Sequence, residues 1–241
     1  MGKMEERVMV ALDFPNITEA SRCIEMLSGT GVYVKIGMQL YYAAGPDYVR
    51  HVKEQGYPVF LDLKVHDIPN TALGAMQSLA GLEVDMVNVH VAGGRKMMEA
   101  AREGLEKGTP SGSKRPLLIG VTQLTSTTQQ MLNEELQIQG TVEETVARYA
   151  RLARDSGLDG VVASPLEVPL IKEACGPHFL TVTPGIRPVG ADAGDQHRIT
   201  TPEQAFRLGA DYIVIGRAIT KADNPAQALH HIIQTLRGCE Q

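Results

Sequence analysis

Asp13, Lys35, Asp62, Lys64 and Asp67 each lie at or just beyond the end of a short apolar run. Charged residues rarely sit on strands that are buried on both faces. Asp62 and Lys64 are two residues apart, so on an extended strand they project to the same side. With Lys35 turned inward on a neighbouring strand, charges of opposite sign would alternate. Such proximity offsets part of each group's desolvation cost but rarely all of it. A fold therefore has little structural reason to assemble the set. Structural salt bridges would explain any one of these residues alone. The whole cluster points to an active site, because ionisable groups of this kind concentrate where proton transfer and charge stabilisation are done.

A second group of residues suits an anion. In the segment IVIGRAIT (213–220), Gly216 lets a backbone approach a ligand and Arg217 offers a two-pronged guanidinium. Amides of a helix beginning there would point at the same ion. A plain strand–turn–helix junction with a solvated arginine fits those two residues equally well. The stretch from Pro184 to Thr200 holds Pro, Gly and Asp residues without clear periodicity. Segments of that length in compact domains are functional lids or mobile surface loops. Gln196, inside it, could bring an amide to a phosphate.

Other chemistries lack their residues. There is no P-loop, no HExxH and no GxSxG. His66 and His90 have no metal-ligand spacing, and hydrogen-bonded structural roles suit them better. Cys23, Cys175 and Cys239 are odd in number and form no CxxC pair, so free thiols of a reducing compartment are expected rather than zinc or disulfides. No metal or cofactor is expected. The formal net charge of −5 argues against nucleic acid as a partner. The first residues, MGKMEERVMVALDF, hold no apolar run of signal-peptide length, and no segment approaches a membrane span. A cytoplasmic protein is expected.

The elements that must position these residues alternate from end to end. Strand-like runs rich in Val, Ile and Leu occupy 8–12, 32–37, 58–63, 86–91, 116–122, 159–164, 178–183 and 211–216. Helical patterns lie between them. In 17–27, Ile17, Ala20, Ile24 and Leu27 share one face. The helix over 141–157 opens with a Thr141–Glu144 capping box and ends on Gly157. That over 201–209 has Thr201 as cap, Pro202 as first residue and Gly209 at its end. Eight β-then-α units within 241 residues suit a single domain, 1–241, of α/β class. Either a closed (β/α)8 TIM barrel or a doubly wound sheet accommodates the pattern. The absence of a GxGxxG loop after the first strand favours the barrel. In a barrel the strand ends converge on one mouth. That mouth would collect Asp13, Lys35, Asp62 and Lys64, then Asn88 and His90, then Thr125 and Ser126, then the segment TPGIR and finally Gly216–Arg217.

The segment DLKVHDIPNT (62–71) resembles the DxKxxDIPxT signature of the orotidine 5′-phosphate decarboxylase family, in its bacterial form. The resemblance continues through ALDF (11–14), VKIGMQL (34–40), VNVHVAGG (87–94), GVTQLTS (120–126), TPGIR (183–187) and VIGRAIT (214–220). It implies a cofactor-free, homodimeric TIM-barrel enzyme that converts orotidine 5′-phosphate to uridine 5′-phosphate. Lys64 would protonate C6 of the pyrimidine, and Asp62 would lie against the substrate carboxylate. Asp67, Ile68 and Thr71 would enter the partner subunit's site. Asp13 and Lys35 would bind the ribose hydroxyls, with Lys35 also joining the charge network. Thr125 and Ser126 would lie against the pyrimidine. Gln196, Gly216 and Arg217 would bind the phosphate, with Arg187 near the phosphate lid and Pro184 at the base of the closing loop.

Two other readings share parts of the pattern. Sugar-phosphate decarboxylases and aldolases of the same scaffold are similar at DxKxxD, but they use magnesium and carry an acidic residue where Lys35 stands. A non-catalytic barrel that merely binds a phosphorylated ligand would be marked by loss of Lys64 or Asp62, and both are present.

Overall fold

The computed structural model describes residues 3–188 and 200–238. Eight parallel strands close into a barrel in sequence order, which removes the doubly wound alternative. They are β1 (Val8–Ala11), β2 (Tyr33–Gly37), β3 (Val59–Val65) and β4 (Met86–His90), then β5 (Leu117–Val121), β6 (Gly160–Val162), β7 (Leu180–Thr183) and β8 (Tyr212–Ile215). Each falls within or near the run expected for it. The intervening helices are α1 (Ile17–Met26), α2 (Met38–Glu54), α3 (Pro69–Ala80), α4 (Gly94–Gly108) and α5 (Val142–Asp155). They continue with α6 (Val168–Cys175), α7 (Pro202–Arg207), α8 (Arg217–Thr220) and α9 (Pro225–Gly238).

Two cores follow from the period-2 alternation of strand side chains. One lies between strands and helices and includes Val8, Val10, Val34, Ile36, Leu61, Val87 and Val89. The other fills the barrel with Met9, Ala11, Phe60, Met86, Ile119, Val182 and Val214. Tyr33 and Tyr212 meet edge-to-face beneath it, with centroids 5.9 Å apart. Two residues beyond Tyr33, Phe60 and Met86, the same inward direction belongs to Lys35, Asp62 and Asn88. The apolar filling thus stops one layer short of the mouth, and polar groups take over.

Local chemistry fixes the helix starts. Thr141 accepts from the Glu144 N–H while the Glu144 carboxylate accepts from the Thr141 N–H, forming the expected capping box. Thr201 accepts from the Gln204 N–H ahead of Pro202. Ile17 departs from expectation. As the first residue of α1 it turns outward and is 44% exposed, leaving Ala20, Cys23 and Ile24 to face the core. The Gly45–Pro46 step kinks α2, with Gly45 in the left-handed region at φ 72°. Between β5 and α5 the chain makes a π-helical turn at Met131–Glu135 that a strict β-then-α plan does not include. Gly104 and Gly108 of α4 lie against the backbone of Leu73 and Gln77 of α3, where any side chain would collide.

The closed end of the barrel carries a repeated ionic device. Asp85, Asp159 and Asp211 each immediately precede an even-numbered strand. Each accepts an N–H from the strand before it: Val59 at 2.7 Å, Leu118 at 2.7 Å and Thr181 at 2.7 Å. Each also pairs with a cation, Lys53, Arg115 and Lys172 respectively. Val32 occupies the corresponding position before β2. Strand-end charges at this face hold the barrel together, whereas those at the opposite face surround a cavity.

Candidate active site

A cavity of about 930 Å³ opens at the C-terminal ends of the strands. Its floor includes the barrel residues Ala11, Phe60, Val182 and Val214. Asp13, Lys35, Asp62 and Lys64 line one side, and Thr125 and Ser126 another. Pro184, Arg187, Gly216 and Arg217 complete the set of expected residues that line it. Asp67, Ile68 and Thr71 are exposed and lie outside the lining of this protomer's cavity. The Asp67 carboxylate accepts the Ile68 N–H at 2.7 Å. Gln196 lies outside the described residues.

The charges are arranged around one carboxylate. Lys64 Nζ donates to Asp62 Oδ1 at 2.6 Å, while Lys35 Nζ lies 3.5 Å from Asp62 Oδ2. Lys35 also donates to Asp13 Oδ1 at 3.0 Å. Burial by itself pushes Asp62 up, but Lys35 and Lys64 outweigh it, with the hydrogen bonds from Lys64 and Asn88, and hold Asp62 below its ordinary value. Burial likewise pulls Lys35 down, and the nearby carboxylates of Asp62 and Asp13 outweigh it, raising Lys35 above its ordinary value. Both residues therefore carry their charges at neutral pH, each stabilised by the other.

Lys64 stands on an unusual backbone. β3 and β4 pair at Leu61↔Val87 and resume at Val65↔Val89, so β3 bulges by two residues in between. Within the bulge Lys64 takes a left-handed conformation, φ 51°. For a residue other than glycine this costs about 1–2 kcal/mol, and such strain persists only where the surroundings hold it. The bulge re-aims the lysine toward the cavity, as bulges beside functional sites do. The spacing of Asp62 and Lys64 placed them on the same side of a regular strand; the bulge that aims Lys64 was not legible.

Thr125 and Ser126 take the two central positions of a turn closed by the Thr127 N–H on the Leu124 carbonyl at 2.8 Å. The two ends of the 184–200 segment are joined. Arg187 N–H donates to the Thr200 carbonyl at 2.9 Å, and Thr200 N–H donates to the Gly185 carbonyl at 3.1 Å. Gly185 is left-handed at φ 83°, which the turn after Pro184 requires. At Gly216 an added Cβ would meet Ala11 Cβ at 3.6 Å, ordinary contact, so the protein itself does not crowd that position.

Sequence reasoning gave no role to three residues now at the site. Asn88 donates to Asp62 Oδ1 at 2.6 Å and accepts the Lys64 N–H at 2.7 Å. Sequence reasoning placed Asn88 at the mouth, but not its two partners; the alternation along β4 that turns Met86 inward turns Asn88 inward too. Gln123 lines the cavity beside Thr125. Lys221 lines it too, four residues past Arg217 and hence on the same helical face. His66 and His90 stand with ring centroids 5.6 Å apart. Burial first, then His66 and Lys64, holds the His90 imidazole below its usual range. Among the described residues no three His, Cys, Asp or Glu side chains group as metal ligands.

The profile of the Orotidine 5'-phosphate decarboxylase / HUMPS family matches residues 6–232. The chain belongs to that family. It is 56% identical over 238 residues to an orotidine 5'-phosphate decarboxylase of Geobacillus sp. (strain WCH70), covering 99% of this chain and 100% of that one. It is 53% identical over 235 residues to the enzyme of the same name from Bacillus cereus (strain G9842), covering 98% and 99%. Among solved structures, an orotidine 5'-phosphate decarboxylase from Lactobacillus acidophilus superposes with a TM-score of 0.87 at 40% identity, over 96% of this chain and 99% of that one. An uncharacterized conserved protein from Geobacillus kaustophilus superposes with a TM-score of 0.86 at 52% identity, over 95% and 99%. The two superpositions agree with the closed barrel.

Proposed function

We propose that the chain decarboxylates orotidine 5′-phosphate to uridine 5′-phosphate, the last step of de novo pyrimidine synthesis, without a cofactor. The observation that carries this reading is the Lys64 ammonium, held 2.6 Å from Asp62 on the wall of the cavity. Arg187, which follows β7, and Arg217, which follows β8, line the same cavity. In an eight-strand barrel β7 lies opposite β3. A nucleotide with its base at Lys64 and its phosphate at these arginines would span the mouth.

The chemistry follows from that pose. Breaking the bond from C6 to the carboxylate leaves an electron pair in the plane of the pyrimidine ring. The ring π-system is orthogonal to that pair and does not delocalise it. A cation beside C6 is the remaining means of stabilisation, and a pre-positioned ammonium supplies it without reorganisation. Lys64 then gives one proton to C6, becomes a neutral amine and regains its proton from solvent. Asp62 keeps Lys64 aimed and faces the departing carboxylate. Lys35 and Asp13 hold the ribose hydroxyls, Thr125 and Ser126 flank the base, and Gln196, Gly216 and Arg217 bind phosphate. Pro184 and Arg187 sit at the base of the segment that closes over it. Phosphate lies far from C6, so its binding energy serves closure and orientation.

In the same reading residues 1–241 form one barrel domain that works as a homodimer in the cytoplasm. Asp67, Ile68 and Thr71 of each protomer complete the partner's site. Their exposure supports this, with Ile68 68% exposed. No helix of the described residues is long and apolar enough to cross a membrane.

The direct test is the fall in ultraviolet absorbance when purified protein meets orotidine 5′-phosphate. No change under saturating substrate would reject the reading. Repeating the assay after exhaustive chelation separates it from the magnesium-dependent relatives. Activity should survive; activity that vanishes and returns with Mg²⁺ would move the chain to that branch.

A further inference from the structure

Asn88 lies mid-β4 and is 1% exposed, so no solvent contact explains a polar side chain there. Its amide makes two hydrogen bonds, and both go to the site. Oδ1 accepts the Lys64 backbone N–H at 2.7 Å, and Nδ2 donates to Asp62 Oδ1 at 2.6 Å. The partners dictate that orientation, because a backbone N–H offers only a donor and a carboxylate only acceptors. Asn88 also stands opposite the bulge. Between Leu61↔Val87 and Val65↔Val89, this single residue of β4 faces Asp62, Leu63 and Lys64 of β3. Where the regular ladder is interrupted, the Asn88 side chain supplies the acceptor for the left-handed Lys64.

We propose that Asn88 is the positioning residue of this site: one amide fixes the backbone of Lys64 and the carboxylate to which Lys64 is paired, so lysine and counter-ion are held as a unit. The inference rests on the decarboxylase reading above. It explains why an amide of this length is required. A leucine of similar shape satisfies neither partner. An aspartate accepts from Lys64 but turns a second carboxylate onto Asp62. Asp62 and Lys64 touch Asn88; the charged and titratable groups linked to them are Lys35 of β2 and, through it, Asp13 beyond β1, together with His90 of β4 and His66 of the turn after β3. From β5 the residue paired with Asn88 is Ile119, which does not titrate.

The test compares wild type, Asn88→Leu and Asn88→Asp for turnover of orotidine 5′-phosphate, with uridine 5′-phosphate affinity and thermal unfolding as controls. Asn88→Leu should lose about 10²-fold in kcat, the scale of a misplaced catalytic group, with KM and product affinity changed less than about threefold. Asn88→Asp should be impaired at neutral pH and recover relative to wild type as pH falls. Its introduced carboxyl, once protonated, can donate to Asp62 and still accept from Lys64. Two carboxyls in contact share a proton more readily than isolated ones do. A merely structural role would scale the rate without reshaping the pH profile. Should Asn88→Leu fail to fold, the isosteric Asn88→Asp carries the test alone. An Asn88→Leu variant with unaltered kcat, or an Asn88→Asp profile parallel to wild type, overturns the positioning role while wild-type turnover upholds the function. A wild-type protein inert toward orotidine 5′-phosphate overturns both.

Discussion

Lys35 Nζ lies 3.5 Å from Asp62 Oδ2 while Lys64 Nζ lies 2.6 Å from Asp62 Oδ1, so one carboxylate serves two ammonium groups. Asp13 takes a further bond from Lys35 at 3.0 Å. The lysine at the bulge is left with Asp62 as its ion-pair partner among the described residues of its own chain. That division of labour gives each residue a distinct expected phenotype.

Replacing Lys64 with alanine should abolish turnover by at least about 10⁴-fold, because proton donation and carbanion stabilisation are lost together. The variant should still fold and bind uridine 5′-phosphate, as circular dichroism and calorimetric titration would report. A kcat near the wild-type value would remove Lys64 from its role.

Arg217→Ala should raise KM and lower kcat together, with kcat/KM falling about 10- to 100-fold, the range for a lost charge-assisted hydrogen bond. The same variant should matter little for orotidine, which lacks the phosphate. Equal damage with both substrates would mean that Arg217 does not act through phosphate.

Mixing Asp62→Ala with Asp67→Ala should restore activity to two inactive proteins. In a mixed dimer one site collects both defects and the other combines intact copies of both residues. With random pairing under two-fold symmetry, about a quarter of all sites regain wild-type composition. If exchange of subunits is demonstrated and the mixture stays dead, Asp67 acts within its own chain.

The charge network should also shape stability against pH. Asp62 is held below its ordinary value of 3.8, so its charged form favours the folded state. That contribution is complete above the unfolded-state value and is lost as pH falls through the folded one. Lys35 is raised above 10.5, so its contribution is complete below that value and is lost as pH rises through the folded one. Lys35→Met removes one of the two cations that depress Asp62. Its acid unfolding midpoint, followed by urea titration at a series of pH values, should move to higher pH. An unmoved midpoint would show that Lys35 does not support Asp62.

The barrel was legible because its determinants are local. Runs rich in Val and Ile such as those at 32–37 and 211–216 alternate with capped helices, and the Thr141–Glu144 box needs only its own four residues. The charged cluster was legible because strand ends converge in a barrel, so distance along the chain ceases to matter. The bulge was hidden for the opposite reason. It arises from a slip between β3 and β4, and Leu63, Lys64 and Val65 carry none of the glycine that announces a left-handed turn. Asn88 was visible as a polar residue at a strand end, but its partners are set by that slip. Ile17 misled because helical periodicity gives a face and not how far the core extends beneath a helix's first turn.

The aspartates at the closed end have a dynamic consequence. Through Asp85 and Lys53 the first residue of β3, the strand that bears Lys64, is pinned. β2, which bears Lys35, has Val32 where such a pin would stand. Arg7 fastens the start of β1 to the Ala210 and Asp211 carbonyls before β8, on the far side from β2. The β1–β2 seam is therefore where the floor of the barrel should breathe first, with its amides exchanging hydrogen for deuterium sooner than those of Val59, Leu118 and Thr181. The two lysines that share Asp62 thus stand on unequal footings: the proton donor on a strand whose start is held by an aspartate, its neighbour on one that begins after Val32 and lacks that tie.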